Sequence, residues 1–133
     1  MLYLDTSAFL KLVVAEVHSD VLRMAVASET AWSSSLLGVE AHRASRRLGV
    51  PAGVIDSFLS AVTLISLSET TMRTARTVGM DDLRTLDAIH LAAALELGTD
   101  LEAMLTYDVR LARACRSEGI SVRAPGLPDN WYL

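Results

Sequence analysis

Residues 2–8 have the sequence Leu-Tyr-Leu-Asp-Thr-Ser-Ala, a short apolar run that ends at an acid and leads into residues that favour the start of a helix. Residues 2–4 have the length of a short buried strand. Thr6 or Ser7 can cap a helix that we predict over Ala8–Val14. Because parallel strands need a crossover connection, a strand that leads directly into a helix is typical of a parallel sheet.

The same alternation of short strands and longer helices continues along the chain. We predict four further strands, over Ala31–Ser34, Thr63–Leu67, Ala103–Thr106 and Ile120–Arg123. We predict further helices over Asp20–Ser28, Leu36–Leu48, Ala52–Ala61, Glu69–Val78, Leu86–Leu97 and Asp108–Glu118. This order predicts an α/β fold with helices on both faces of a mainly parallel sheet. A length of 133 residues predicts one domain, spanning residues 1–133.

Composition limits the classes of function. Apolar residues make up 51% of the chain and charged residues 21%, which excludes a disordered segment. The formal net charge of −4 disfavours a protein that binds nucleic acid through bulk electrostatics. No apolar run reaches the roughly 18 residues of a membrane span, and the single cysteine, Cys115, cannot form an internal disulfide. We therefore expect a cytoplasmic protein that has no membrane partner.

Four acids lie at or near the carboxyl ends of the predicted strands. Asp5 directly follows the first strand, and Asp108 follows the strand Ala103–Thr106 after one intervening residue. Glu40 lies one turn inside a predicted helix, and Asp87 lies in the first turn of another. The carboxyl ends of parallel strands meet at one edge of a sheet, where open α/β sheets bind ligands. We therefore expect the four acids to share that edge.

All four acids lie in strongly apolar sequence, where a carboxylate is costly to bury unless it is paired. A hard divalent cation can compensate all of them at once, and carboxylate oxygens are ligands that Mg²⁺ and Mn²⁺ prefer. Structural roles remain open: Asp5 and Asp108 can cap helices, and Asp87 can stabilise a helix dipole. Glu40 has the weakest structural explanation, because it lies in the middle of a helix. Their joint placement favours a metal site.

Competing catalytic patterns are weak. His18, His42 and His90 lack the spacing of zinc ligands, and we predict that His90 packs or hydrogen-bonds within its helix. No glycine-rich phosphate loop is present, which excludes a P-loop nucleotide hydrolase. A receiver or phosphatase module also places acids on a parallel sheet edge, but it needs a lysine near the site. The only lysine, Lys11, follows the first strand rather than a late one, which disfavours that class.

Four segments contain these acids and follow one another over essentially the whole chain. They are Leu4-Asp5-Thr6-Ser7-Ala8, Ser35-Leu-Leu-Gly-Val-Glu40-Ala-His-Arg43, Leu83-Arg-Thr-Leu-Asp87-Ala-Ile-His90-Leu-Ala and Leu105-Thr106-Tyr-Asp108-Val-Arg-Leu111-Ala. In order and spacing, these segments resemble the PIN-domain ribonucleases, and most closely the VapC-type toxins of prokaryotic toxin–antitoxin pairs. Each segment alone is weak, and the four together are specific.

The resemblance implies a three-layer α/β/α sandwich and a metal-dependent endoribonuclease toxin that cleaves tRNA or rRNA and blocks translation. The expected catalytic and metal-binding residues, which would hold one or two Mg²⁺ or Mn²⁺ ions, are Asp5, Glu40, Asp87 and Asp108. The hydroxyls expected to orient carboxylates or waters are those of Thr6, Ser7 and Thr106. The candidates for phosphate contacts are Arg43 and Arg84.

The resemblance also implies an RNA substrate, a homodimer and a small antitoxin, with promoter DNA bound only through the antitoxin. We expect the antitoxin to insert an arginine into the acidic pocket, because a guanidinium can bind carboxylates in a bidentate manner. The high apolar fraction suggests a groove for a partner helix. The alternative function is a non-catalytic PIN-like module that binds RNA or a partner. Loss of the acids would favour that alternative, and no acid is lost.

Overall fold

The computed structural model describes residues 1–133, which form five strands, seven α-helices and one short 3₁₀ helix. The strands are β1 (Leu2–Leu4), β2 (Ala31–Ser34), β3 (Thr63–Ile65), β4 (Ala103–Leu105) and β5 (Val122–Arg123). The α-helices are α1 (Thr6–Val13), α2 (Ser19–Ala27), α3 (Leu36–Leu48), α4 (Ala52–Leu59), α5 (Glu69–Ala75), α6 (Thr85–Leu95) and α7 (Val109–Ser117), and the 3₁₀ helix is Gly98–Asp100. None of these helices has both the length and the apolar character needed to span a membrane.

The five strands form one sheet in the order β3-β2-β1-β4-β5, and every neighbouring pair is parallel. The predicted α/β fold with a mainly parallel sheet is therefore confirmed. Chain order runs outward from β1 to β3 on one side and from β4 to β5 on the other. Such a reversal opens a crevice between the carboxyl ends of the two central strands. Asp5 and Asp108 follow these strands, β1 and β4.

Side chains of the central strands alternate between the two faces of the sheet, as the strand period requires. Tyr3 and Met104 pack into a core that includes residues of α6 and α7, among them Cys115. Leu4 and Leu105 pack into a second core with residues of α1 and α2. Helices therefore cover both faces, and the expected three-layer sandwich is confirmed.

A third apolar cluster joins α1, α3 and α4. Phe9 of α1, Leu37 and Ala41 of α3, and Ile55 of α4 are all fully buried in it. This packing fixes α3 against α1. It thereby places Glu40, which precedes Ala41, near the start of α1.

Most predicted elements are present, and several boundaries differ. Strand β2 and helix α3 have the predicted bounds, and α3 ends at Gly49, whose φ of 71° is a conformation that glycine adopts without strain. Strand β3 ends at Ile65 rather than Leu67, because its partner β2 ends at Ser34 and offers no further pairing.

Two helix caps differ from the sequence-based predictions, which were Thr6 or Ser7 for α1 and Thr85 for α6. Asp5, not Thr6 or Ser7, caps α1, because its carboxyl accepts the Ala8 N–H. Arg84 occupies the N-cap position of α6, which begins at Thr85 itself.

Candidate active site

Asp5 lies at the junction of β1 and α1, and only 3% of its surface is exposed. Its Oδ1 accepts the Ala8 N–H at 2.9 Å, and its Oδ2 accepts the Thr106 hydroxyl at 2.6 Å. The Ser7 hydroxyl lies 2.7 Å from Oδ1 and 2.9 Å from Oδ2, so it donates to the same carboxyl group. Burial raises the pKa of Asp5, although these hydrogen bonds oppose the rise. Asp5 is therefore both a helix cap and a carboxyl group that is costly to ionise in the absence of a cation.

Thr106 links Asp5 to Asp108 across the crevice. Its fully buried hydroxyl donates to Asp5 and accepts the Asp108 N–H at 3.1 Å. Asp108 caps α7, since its Oδ1 accepts the Leu111 N–H at 2.9 Å. The Thr106 hydroxyl thus joins the carboxyl ends of β1 and β4, and the Ser7 hydroxyl adds a second link by accepting the Tyr107 N–H at 3.1 Å.

Glu40 reaches the same edge from α3 and is held by two side chains. Its Oε1 accepts the Thr6 hydroxyl at 2.7 Å and lies 2.6 Å from Nε2 of His90. The other ring nitrogen of His90, Nδ1, lies 2.8 Å from the hydroxyl of Tyr3. A neutral His90 satisfies both contacts when Nε2–H donates to Glu40 and Nδ1 accepts from Tyr3. Burial alone would raise the pKa of Glu40, but the hydrogen bonds from His90 and Thr6 outweigh it and lower the pKa.

Asp87 lies in the first turn of α6, where its side chain is 18% exposed. Burial raises the pKa of this carboxyl, and the negative charge of Asp108 raises it further. Glu40 adds a smaller effect of the same sign, whereas Arg84 opposes it. The negative charges of Asp108 and Glu40 therefore both disfavour ionisation of Asp87.

The two candidate phosphate-binding arginines lie in different surroundings. The guanidinium of Arg84 lies between two acids, with Nε 3.4 Å from Oδ2 of Asp87 and Nη2 3.0 Å from Oδ2 of Asp108. Arg43 is exposed on α3 and forms no ion pair. Arg84 thus belongs to the acidic cluster in this structure, whereas Arg43 is open to solvent.

His90 also belongs to the site, although its sequence position predicts only packing or hydrogen bonding within its helix. It is 1% exposed, and its partners lie on β1 and α3 rather than on α6. The available signal was its place in the apolar run Ala88-Ile-His-Leu-Ala92, since a polar side chain there needs a partner from elsewhere. His42 pairs instead with Asp56 at 2.7 Å, on the surface of α3 and α4.

The residues at this edge fit a hard divalent cation by their chemistry. Burial disfavours the ionised forms of Asp5 and Asp87, and neighbouring acids add to this effect at Asp87, so added positive charge would stabilise the carboxylates at this edge. No three His, Cys, Asp or Glu side chains are arranged around one point as metal ligands in this structure. Several carboxyl oxygens instead accept hydrogen bonds from protein groups, namely those of Asp5, Glu40 and Asp108. Binding of a cation would therefore require these side chains to turn towards it.

The fold and its acids define an α/β/α domain with an acidic site at the point where the order of a parallel sheet reverses. The chain matches the family model of the PIN domain over residues 2–117. It therefore belongs to the PIN domain family, and the resemblance seen in the sequence is confirmed.

Three relatives from Mycobacterium tuberculosis match nearly the full length. Ribonuclease VapC47 of strain CDC 1551 / Oshkosh is 38% identical over 133 residues, which cover 95% of this chain and 98% of the relative. Ribonuclease VapC35 of the same strain is 39% identical over 134 aligned residues, which cover 95% of this chain and 98% of the relative. Ribonuclease VapC46 of strain ATCC 25618 / H37Rv is 38% identical over 126 residues, which cover 93% of this chain and 97% of the relative.

Proposed function

We propose that this chain is an endoribonuclease that hydrolyses RNA phosphodiester bonds with the help of Mg²⁺ or Mn²⁺. The observation that carries the proposal is the gathering of four acids at the sheet edge. Thr106 links Asp5 to Asp108, and Arg84 contacts both Asp108 and Asp87. Thr6, the residue after Asp5, donates its hydroxyl to Glu40. The similarity to proteins named Ribonuclease VapC, at 38% identity for VapC47 and 39% for VapC35, supports the same activity.

The residues proposed to hold one or two cations are Asp5, Glu40, Asp87 and Asp108. When bound, a divalent cation supplies an activated water nucleophile and neutralises charge that develops on the phosphate. The hydroxyls of Thr6, Ser7 and Thr106 restrict the rotamers of two of these acids: Thr6 contacts Glu40, and the other two contact Asp5. Such hydrogen bonds orient ligating oxygens and keep them in place.

We propose that His90 positions Glu40. Tyr3, His90 and Glu40 form a continuous hydrogen-bonded line from the core to the site. The hydrogen bond from His90 to Glu40 favours the ionised carboxylate, which is the form that binds a cation. Arg43, exposed one turn after Glu40 on α3, is the proposed contact for an RNA phosphate.

The proposed biological role is that of a toxin in a toxin–antitoxin pair, acting in the cytoplasm on tRNA or rRNA and blocking translation. The proposed antitoxin inhibits by inserting an arginine among the acids, where a guanidinium already makes two carboxylate contacts in this structure. We also propose that the chain forms a homodimer and that the toxin–antitoxin complex binds promoter DNA through the antitoxin.

Mapping of new RNA 5′ ends tests this function. The chain is expressed in cells alone, together with the product of its neighbouring gene, and as the Asp5→Asn variant. We expect defined new ends in tRNA or rRNA and arrested growth only when the unmodified chain is expressed alone. Growth arrest with no new RNA ends would contradict the proposed endoribonuclease.

A non-catalytic module that binds RNA or a partner is the second candidate. The observation in its favour is that protein donors already satisfy oxygens of Asp5, Glu40 and Asp108. Such a module would capture the same partner whether or not Asp5 is replaced by asparagine, and it would produce no new RNA ends. The expression experiment therefore separates the two candidates.

A further inference from the structure

We infer that Arg84 is a resident counter-cation of the Asp87–Asp108 pair and that a divalent cation must displace it to bind there. This inference rests on the proposed function, because it concerns the cation site of the same acids. It assigns Arg84 a role in the cation-free protein, before any RNA is bound.

The hydrogen bond and ion pairs of the Arg84 side chain are confined to these two acids. Its side chain makes one hydrogen bond, from Nη2 to Oδ2 of Asp108, and its Nε lies 3.4 Å from Oδ2 of Asp87. The side chain is 63% exposed, so it can leave the acids without disturbing the core. Its backbone is extended (φ −72°, ψ 155°) just before α6, which places the side chain beside Asp87 in the first turn.

The oxygens of Asp108 explain why a cation and Arg84 compete. Oδ1 is used to cap α7 through the Leu111 N–H, so Oδ2 is the oxygen left for another ligand. Oδ2 is also the atom that Arg84 holds at 3.0 Å. A cation that binds Asp108 at Oδ2 therefore competes with the guanidinium for the same atom.

The charge of Arg84 opposes cation binding in a second way. A positive charge held a few ångströms from two ligands repels an incoming cation. Removing that charge leaves the two carboxylates uncompensated and more attractive to Mn²⁺. We expect about a tenfold tighter Kd for Mn²⁺ at low ionic strength, the order of magnitude for one unit charge at this range in a partly exposed site.

Isothermal titration of Mn²⁺ into the purified full chain tests the inference without any RNA or activity readout. The variants are Arg84→Gln, Arg84→Lys and the control Arg116→Gln, which removes the same charge from α7 where no acid is paired. We expect tighter binding by Arg84→Gln, an affinity near that of the unmodified chain for Arg116→Gln, and an intermediate value for Arg84→Lys. Circular dichroism checks that each variant is folded.

The outcomes distinguish this inference from the proposed function. Equal affinities for the unmodified chain and Arg84→Gln would overturn the inference and leave the proposed cation site intact. Weaker binding by Arg84→Gln would also overturn it, because Arg84 would then support the site rather than compete for it. If no form of the chain binds Mn²⁺, the metal-dependent function fails and the inference fails with it.

Discussion

The Asp5 carboxyl shows how a single residue connects helix formation to charge. It caps α1 through the Ala8 N–H, and its burial raises its pKa above the ordinary value. A group whose pKa is raised by folding stabilises the folded state fully only below its unfolded pKa, about 3.9 for Asp. That stabilisation is lost as the pH rises through the higher pKa of the folded state. Without a cation, the ionised form of Asp5 therefore destabilises the fold at neutral pH.

Asp5→Asn should relieve this cost, because an amide oxygen can still accept the Ala8 N–H. In EDTA, we expect the variant to become more stable than the unmodified chain as the pH rises. The difference between their free energies of unfolding should grow above about pH 4, where Asp5 of the unmodified chain ionises and the asparagine does not. Urea unfolding over pH 4–8 measures the difference. The control is Asp20→Asn, at a side chain that is 97% exposed and paired only with Arg23. A pH-independent difference for Asp5→Asn would show that its ionisation is not coupled to folding.

His90 is the other residue whose replacement gives a sharp prediction. His90→Ala removes one of the two partners of Glu40 and the partner of the buried Tyr3 hydroxyl, and it leaves a cavity because His90 is only 1% exposed. We expect a loss of about 2–4 kcal/mol in the free energy of unfolding. His42→Ala is the matched control, because its partner Asp56 is exposed, and its cost should stay below about 1 kcal/mol. Urea denaturation measures both, and equal losses would contradict the structural role of His90.

At the scale of elements, the Thr106 hydroxyl links the junction between β4 and α7 to Asp5 at the end of β1. Thr106→Val keeps the shape but removes the donor to Asp5 and the acceptor for the Asp108 N–H. We expect a loss of about 1–3 kcal/mol, because buried polar groups are left without a partner. Thr63→Val, at an exposed position of β3, is the control and should change stability by less than about 0.5 kcal/mol. Thermal unfolding measures both, and a neutral Thr106→Val would show that the linkage contributes little.

The helix starts show where sequence patterns stop being sufficient. Asp5, Thr6 and Ser7 can all cap a helix, so the sequence leaves three adjacent candidates. In the structure, Thr6 and Ser7 lie inside α1 and their hydroxyls contact Glu40 and Asp5, whereas the Asp5 carboxyl accepts the helix N–H. The choice therefore depends on contacts with residues that lie far away in the chain.

At the scale of the whole molecule, chain order predicts the edge of the sheet but not the contacts made there. Parallel strands place Asp5 and Asp108 at one edge once the strand–helix alternation is recognised. The line from Tyr3 through His90 to Glu40 joins residues as many as 87 positions apart, and no local pattern encodes it. The same holds for Arg84, whose contact with Asp108 spans 24 positions.

The charge of the molecule also points to this edge. The four acids equal the whole formal charge of −4, since the remaining acids would balance the 12 cations. RNA is itself negative, so it would meet repulsion at the acids unless positive charge is added there. The acids therefore oppose RNA binding unless a cation is bound with the RNA. The proposed activity thus depends on both the acids and the cation.

Single-turnover cleavage of purified tRNA and rRNA tests that dependence most directly. The unmodified chain and Asp87→Asn are compared with Mn²⁺ and with EDTA, and circular dichroism checks folding. We predict that the unmodified chain cleaves RNA only with Mn²⁺. For Asp87→Asn with Mn²⁺, we predict a cleavage rate reduced by at least about a hundredfold, because a ligand charge that supports transition-state stabilisation is lost. Cleavage at the full rate in EDTA, or by Asp87→Asn, would contradict a nuclease site built from these acids.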